Sequence, residues 1–318
     1  MAWDVLIAGD IAEDEFEMID DIARFTETSH YRSRDELLSD ISRFDAIIVR
    51  SYDIDSELLQ NATKLKVISK RGVGVDSIDV ETATEMGVVV CNTPGANAQA
   101  VAEHTIGLLL AVRKKLLVAD RDVRDGMWQR EKYVGHELSG DVLGIFGFGN
   151  IGEIVARIAK SIGMDAVVYD PYVTRSELPS HVRKTSTLGD LFSRSDVVSI
   201  HAPLTDETRN IIGEAEFETF SRSGILLNTA RAEIVNEKAL LNALQSSKIA
   251  GAGLDVLHDE PPAEASTIYD LDNVVLSPHI AGTTIEANKE KSRRAAEHVR
   301  MVHDGELPSS TLNDGVIN

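Results

Sequence analysis

The chain of 318 residues is 43% hydrophobic and carries a formal charge of −20, from 52 acidic and 32 basic side chains. That length suits two ordinary domains better than one core, and that charge repels a phosphate backbone, which argues against nucleic-acid binding. The longest apolar run, TIGLLLAV, is far shorter than a bilayer span, and the lone cysteine, Cys91, excludes an internal disulfide.

The start, MAWDVLIAGD, lacks the basic region and apolar stretch of a signal peptide, so a cytoplasmic location is expected, with no membrane partner. Only 12 of the basic residues are lysines, and the acids are scattered in short groups such as Asp20-Asp21 and Asp259-Glu260. An acid-rich, lysine-poor surface of this kind resembles proteins of salt-loving microbes.

In chain order, DVLIA (4–8), AIIV (46–49), VIS (67–69) and VVVC (88–91) predict strands, with helical spacing in DELLSDISRF and DVETATEMG between them. AQAVAEHTIGLLLAVRKKLLVAD (98–120) then reads as one long helix, apolar on more than one side. From residue 142, VLGIFG, AVVYD, VVSIH, ILLNT, GAGLDV and NVVLS predict six more strands, the last read as buried. NIGEIVARIAKSIG and NEKALLNALQSS are helical between them, and TTIEANKEKSRRAAEHVRMV is a final helix. The alternation predicts an α/β protein with two doubly wound parallel-sheet domains. A Rossmann domain over 98–285 is inserted into a flavodoxin-like domain over 1–97 and 286–318, to which the final helix returns.

GFGNIG (147–152) follows a strand and opens a helix, the context that a G-x-G-x-x-G loop needs to hold a dinucleotide. Gly147 allows the tight turn, Gly149 lets the backbone approach a pyrophosphate, and Gly152 lets helix and strand pack closely. Asp170 ends the next strand, 18 residues after Gly152. Its carboxylate can accept both adenosine ribose hydroxyls but repels a 2′-phosphate, so NAD is expected as cofactor and NADP is disfavoured. No metal site is expected.

Ligands of open parallel sheets bind beyond the carboxyl ends of the strands. His201 follows VVSI, Arg231 follows ILLNTA, Asp255 ends GAGLD, His279 follows NVVLSP, and Glu260 lies in the loop HDEPP. Taken singly, Arg231 reads as a surface cation, Glu260 as loop charge and His279 as a turn residue between Pro278 and Gly282. Together they suit oxidation of a 2-hydroxy acid. Imidazole exchanges the hydroxyl proton near neutrality, a carboxylate orients the ring and stabilises imidazolium, and the guanidinium fork takes a carboxylate and polarises the adjacent carbonyl.

RGVGVDSID (71–79), NTPGANAQAVAEH (92–104), LGIFGFGNIG, HAPLTDETRNII (201–212), NTARAEIVNEKAL (228–240), GLDVLHDEPP (253–262) and SPHIAG occur in the order of one known family. Over nearly its whole length the chain resembles the D-isomer-specific 2-hydroxyacid dehydrogenases. The resemblance implies that Arg231, Glu260 and His279 are the catalytic trio. It implies that Asp255 and Thr229 bind the nicotinamide end and that the backbone at Val73 and Gly74 holds the substrate carboxylate. Phe148, Asn150, Ile151, His201, Ala202, Pro203, Ala230 and Gly282 complete the cofactor contacts. Arg50-Ser51, after AIIV, resembles phosphoglycerate dehydrogenases, where the arginine meets the substrate phosphate; Lys70 and Arg71 add charge nearby. Relatives pair through the region of 98–120, so a homodimer is expected.

The chain departs from the family's usual pattern at Ala232, where a glycine is common, at Asp141 for a lysine, and at Leu257 for an aromatic residue. Glu260 argues against the formate-oxidising branch, which has Gln there. Corepressor relatives that bind NAD without turnover carry extra tails, and this sequence ends at DGVIN soon after its last helix.

Overall fold

Strands with no polar alternation are buried on both faces, as parallel sheets clad in helices require. Ile47, Ile48, Val49, Val67 and Ile68 are all fully buried. The structure, a computed structural model, describes residues 2–11, 13–261 and 266–313; Pro262 of the HDEPP loop and the terminal DGVIN lie outside them. The chain folds as two units, residues 1–97 with 284–318, and residues 98–283. The sequence reading set the second crossing after 285; the chain makes it after Thr283.

In the first unit, β1 (Trp3–Ala8), β2 (Ala23–Glu27), α1 (Arg34–Asp40), β3 (Ala46–Val49), α2 (Ser56–Asn61), β4 (Val67–Lys70), α3 (Val80–Glu85) and β5 (Val89–Cys91) follow in sequence. The three helices start at Ser33, Asp55 and Asp79, whose side chains accept from Glu36 N, Leu58 N and Thr82 N. The sheet is parallel throughout, in the order β2-β1-β3-β4-β5. Its winding reverses between β1 and β3, which puts Gly9-Asp10 and Arg50-Ser51 at the switch point.

The second unit opens with α4 (Ala98–Arg113) and α5 (Leu116–Arg124), continues through β6 (Val142–Phe146), α6 (Asn150–Ser161), β7 (Asp165–Tyr169) and β8 (Val182–Lys184), then α7 (Leu188–Ser193), β9 (Val197–Ile200) and α8 (Glu214–Thr219). β10 (Ile225–Asn228), α9 (Glu237–Gln245), β11 (Gly251–Leu254) and β12 (Val274–Leu276) close it. Seven parallel strands run β12-β11-β10-β9-β6-β7-β8, reversing between β6 and β9. α10 (Ile285–His303) then joins the first unit, where Ala295, Ala296 and Val299 are fully buried with Val67 and Val89.

Three expectations are corrected. The pattern over 98–120 is two helices, because Lys115 adopts φ 53° and the Arg113 carbonyl accepts from His136 N at 3.3 Å instead of continuing the helix. Two strands, β2 (ARFTE) and β8 (VRK), were missed; each is an edge strand whose residues are mostly outside the core. β12, read as buried, is also an edge strand, and its three residues are half-buried. Among the described residues no helix is long and apolar enough to cross a membrane.

Candidate active site

The turn after β6 is built for close approach. Gly147 takes φ 90°, and a Cβ there would lie 2.5 Å from Ala202 N, so no other residue fits against the β9 loop. A Cβ at Gly152 would meet Gly147 O at 2.5 Å, whereas one at Gly149 would meet nothing within 4 Å. The open face at Gly149 lies at the N-cap of α6, whose first residues are Asn150 and Ile151. Asp170, just after β7, accepts from Phe148 N and Tyr172 N, both at 2.8 Å, and lines a cavity of about 550 Å³ with Tyr169, Pro171, Arg175, Lys184, Thr185 and Ser186. A carboxylate beside a glycine cradle and a helix N-terminus fits a dinucleotide.

The neighbouring loop after β9 is structural in its hydrogen bonding. His201 N donates to Phe146 O at 2.7 Å, and its ring Nε2 meets Ser199 Oγ at 2.8 Å. Ring Nδ1 is buried without a partner, and burial pushes the imidazole down to about 3, so His201 stays neutral and takes up no second proton in the physiological range. Pro203 O accepts from Thr208 Oγ1 at 2.7 Å, which shapes the rest of this loop.

Farther along the same edge, the loops after β10, β11 and β12 carry the trio. His279 Nδ1 lies 2.8 Å from Glu260 Oε2, with both side chains close to half exposed. The other Glu260 oxygen accepts from Leu257 N at 3.1 Å, so the residue standing for the usual aromatic supplies its amide to the carboxylate. Arg231 starts the turn after β10 and its Nη1 donates to Ala230 O at 2.8 Å. Ala232, in place of the common glycine, begins a 3-10 turn and needs no left-handed backbone. Thr229 Oγ1 is 3.1 Å from Thr105 Oγ1 of α4, and Gly282 sits in the turn closed by Thr283 N and Ile280 O.

Asp255 does more than the sequence suggested. It is 1% exposed, and its carboxylate accepts from Ser277 Oγ at 2.6 Å, Ile280 N at 2.9 Å and Ala281 N at 2.8 Å. Its own carbonyl accepts from His279 N at 2.8 Å. His279 itself has φ 54°, a left-handed conformation uncommon for a residue with a Cβ and held only where the surroundings over-determine it. Asn228 serves the Arg231 loop in the same manner, donating to Arg231 O at 2.9 Å and accepting from Ala230 N at 3.0 Å. Sequence reasoning passed over Asn228, Ser277 and His104; an Asn or Ser ending a strand before a polar loop was the available signal.

In the first unit, Arg50 is 41% exposed and donates to Asp10 O at 2.9 Å, with Ser51 exposed beside it. The added charge expected from Lys70 and Arg71 is committed elsewhere. Lys70 Nζ donates to Arg50 O at 2.5 Å, and Arg71 binds Glu15 and Ser292, each at 2.6 Å. Val73 is exposed, and its carbonyl accepts from Asn92 Nδ2 at 2.8 Å; Gly74 follows in the same loop.

A glycine cradle at the reversal of a parallel sheet, with a histidine–carboxylate pair and an arginine on the same edge, defines a dinucleotide-dependent oxidoreductase domain. Residues 106–281 match the family described as D-isomer specific 2-hydroxyacid dehydrogenase, NAD binding domain. The chain belongs to that family, and NAD is the cofactor of this domain. It is 40% identical over 296 residues to D-3-phosphoglycerate dehydrogenase of Archaeoglobus fulgidus, covering 93% of this chain and 56% of that protein. The chain thus spans little more than half of that relative. Against hydroxypyruvate reductase of Thermotoga maritima, identity is 38% over 275 residues, covering 86% of this chain and 89% of the other. The crystal structure of a glyoxylate reductase from Paecilomyes thermophila superposes with a TM-score of 0.89 at 31% identity, covering 99% of both chains.

Proposed function

We propose that this protein is an NAD-dependent D-2-hydroxyacid dehydrogenase that interconverts a 2-keto acid and its D-2-hydroxy acid, with D-3-phosphoglycerate and its keto acid as the preferred pair. The carrying observation is the 2.8 Å contact between His279 Nδ1 and Glu260 Oε2. An ionised carboxylate only accepts, so Nδ1 keeps its hydrogen and Nε2 is the reacting nitrogen. In reduction, Nε2–H of the imidazolium gives its proton to the keto oxygen; in oxidation, neutral Nε2 takes the hydroxyl proton. Bound NADH supplies the hydride that carbon 2 receives. Glu260 offsets the imidazolium charge and fixes the ring's tautomer. Arg231 takes the substrate carboxylate with its planar fork and polarises the carbonyl beside it. Thr229, Ala230, Asp255 and Gly282 line the nicotinamide end.

The phosphate reading rests on Arg50 and Ser51 at the switch point of the first sheet and on the phosphoglycerate dehydrogenase relatives. An unphosphorylated substrate such as hydroxypyruvate or glyoxylate is favoured by one observation, the commitment of Lys70 and Arg71 to internal partners. Exposed Leu116, Leu117, Val123, Trp128 and Val134 on and after α5 support pairing of two copies through this face. The charge of −20 supports an enzyme of a salt-rich cell without nucleic-acid partners, and the lone Cys91 supports a reducing, cytoplasmic location. A panel of 2-keto acids with NADH, at low and high salt, tests the whole reading. Phosphohydroxypyruvate should give the highest kcat/KM; a preference for hydroxypyruvate or glyoxylate moves the assignment to the unphosphorylated acids, and no turnover of any overturns it.

A further inference from the structure

A second histidine stands behind the loop that carries His279, and the proton transfer above does not use it. His104, on α4, is about three-quarters buried and puts Nε2 at 2.8 Å from Ser277 Oγ and 3.5 Å from Asp255 Oδ1. Hydrogen-bond accounting fixes its role. Ser277 Oγ has a single hydrogen and gives it to the Asp255 carboxylate at 2.6 Å, so it must accept from His104. The bond therefore runs from His104 Nε2–H to Ser277 Oγ, and from Ser277 Oγ–H to Asp255 Oδ1.

Asp255 in turn holds three consecutive amides. Its carbonyl takes His279 N, Oδ1 takes Ile280 N and Oδ2 takes Ala281 N. Those bonds keep His279 at φ 54°, where an L-residue does not rest unaided. The carboxylate is 1% exposed, so each donor it loses has no water to replace it.

We propose that His104 is a positioning residue for the catalytic histidine: it holds Ser277 onto Asp255, and Asp255 holds the backbone that aims the His279 ring. The same turn of α4 also reaches the β10 loop, since the adjacent Thr105 contacts Thr229 at 3.1 Å. One helix face thus braces both loops of the nicotinamide side. The proposal rests on His279 being the proton carrier.

The test compares His104→Leu, which fills the space without a donor, with His104→Gln, whose side-chain NH2 can still donate to Ser277. Three readouts apply: kcat with its pH profile, KM for NADH, and the NMR titration of the His279 ring, which needs no turnover. In His104→Leu, kcat should fall ~10-fold with KM for NADH within about twofold, as expected for one buried hydrogen bond to a charged group's partner. The pH midpoint of kcat and of the His279 ring should move together, and His104→Gln should recover most of both. Unchanged kcat and ring titration in His104→Leu would overturn the proposal. So would equal losses in the Leu and Gln variants, which would mark a packing role. If the unmodified protein reduces no 2-keto acid, the functional reading fails by itself. The ring titration then still decides the link, an unchanged midpoint in His104→Leu overturning it and a displaced midpoint supporting it.

Discussion

The two sheets obey one architecture and carry opposite chemistry at their carboxyl edges. On the seven-stranded sheet, the loops after β11 and β12 bring a histidine and a carboxylate to 2.8 Å and leave both close to half exposed. On the five-stranded sheet, Arg50, Lys70 and Arg71 follow or end β3 and β4, and α10 adds Lys291. Burial, then Arg71 and Arg50, push the Lys291 ammonium down to about 8. Within that group Arg71 is paired with Glu15, and Arg50 lies 3.8 Å from the Asp10 carboxylate. The lesson is that winding fixes where a ligand can lie, while the loop residues decide what chemistry that place can offer.

The sharpest test of this division is at the acidic–basic pair. His279→Asn should lower kcat by about 10²–10⁴-fold while NADH affinity, read by fluorescence titration, changes little. Near-normal kcat in that variant would remove the proton-transfer role from this edge. On the other edge, Arg50→Ala should cost roughly 1.5–3 kcal/mol in kcat/KM for phosphohydroxypyruvate, the worth of a charged hydrogen bond, and little for hydroxypyruvate. Equal losses for both substrates would mean that the cationic edge does not read phosphate. Asp170→Ser should narrow the preference for NADH over NADPH by ~10-fold, since the carboxylate is what repels the 2′-phosphate. Equal kcat/KM for the two cofactors in the unmodified protein would contradict the reading of Asp170.

Histidines extend the comparison to stability. His298 on α10 is 7% exposed and lies 3.0 Å from both Ser69 Oγ and Ser310 Oγ. Burial, with Arg294 adding repulsion, pushes it from 6.5 down to about 4. The folded value is depressed, so above pH 6.5 the ring is neutral in both states and its contribution to stability is complete. As pH falls from 6.5 towards 4, the unfolded chain binds a proton that the folded chain refuses, and stability on the order of 3 kcal/mol is lost. His201 acts in the same direction. Urea unfolding at pH 7 and pH 5 should therefore differ less in His298→Gln than in the unmodified protein; an identical difference would place the acid sensitivity elsewhere. The smallest effect concerns the whole surface. With the Debye length shrinking from about 30 Å at 0.01 M salt to about 3 Å at 1 M, self-repulsion at charge −20 weakens, and the melting temperature should rise by a few degrees with KCl. A flat or falling melting temperature would detach the acidic surface from salt tolerance.

The sequence by itself determined the interior strands and the glycine loop, and it singled out Arg231, Glu260 and His279, which the structure places on the loops after β10, β11 and β12. Those signals are local: unbroken apolar runs such as AIIV and the ILL of β10 mark strands buried on both faces, and GFGNIG needs no partner to be read as a turn. It missed β2 and β8, because an edge strand has one neighbour and its residues need not be apolar, and it found β12 but took it as buried where the edge position leaves it half-buried. It also failed at Lys115, where the helix breaks because the Arg113 carbonyl finds His136 N, 23 positions along the chain. What only tertiary structure decided is how the His279 loop is held. His104, Asp255 and Ser277 lie on three separate elements, and nothing in their spacing predicts that Asp255 clamps three consecutive amides around His279. Hydrogen bonds across a sheet edge depend on which strands become neighbours, and strand order is a property of the packed core rather than of any single segment.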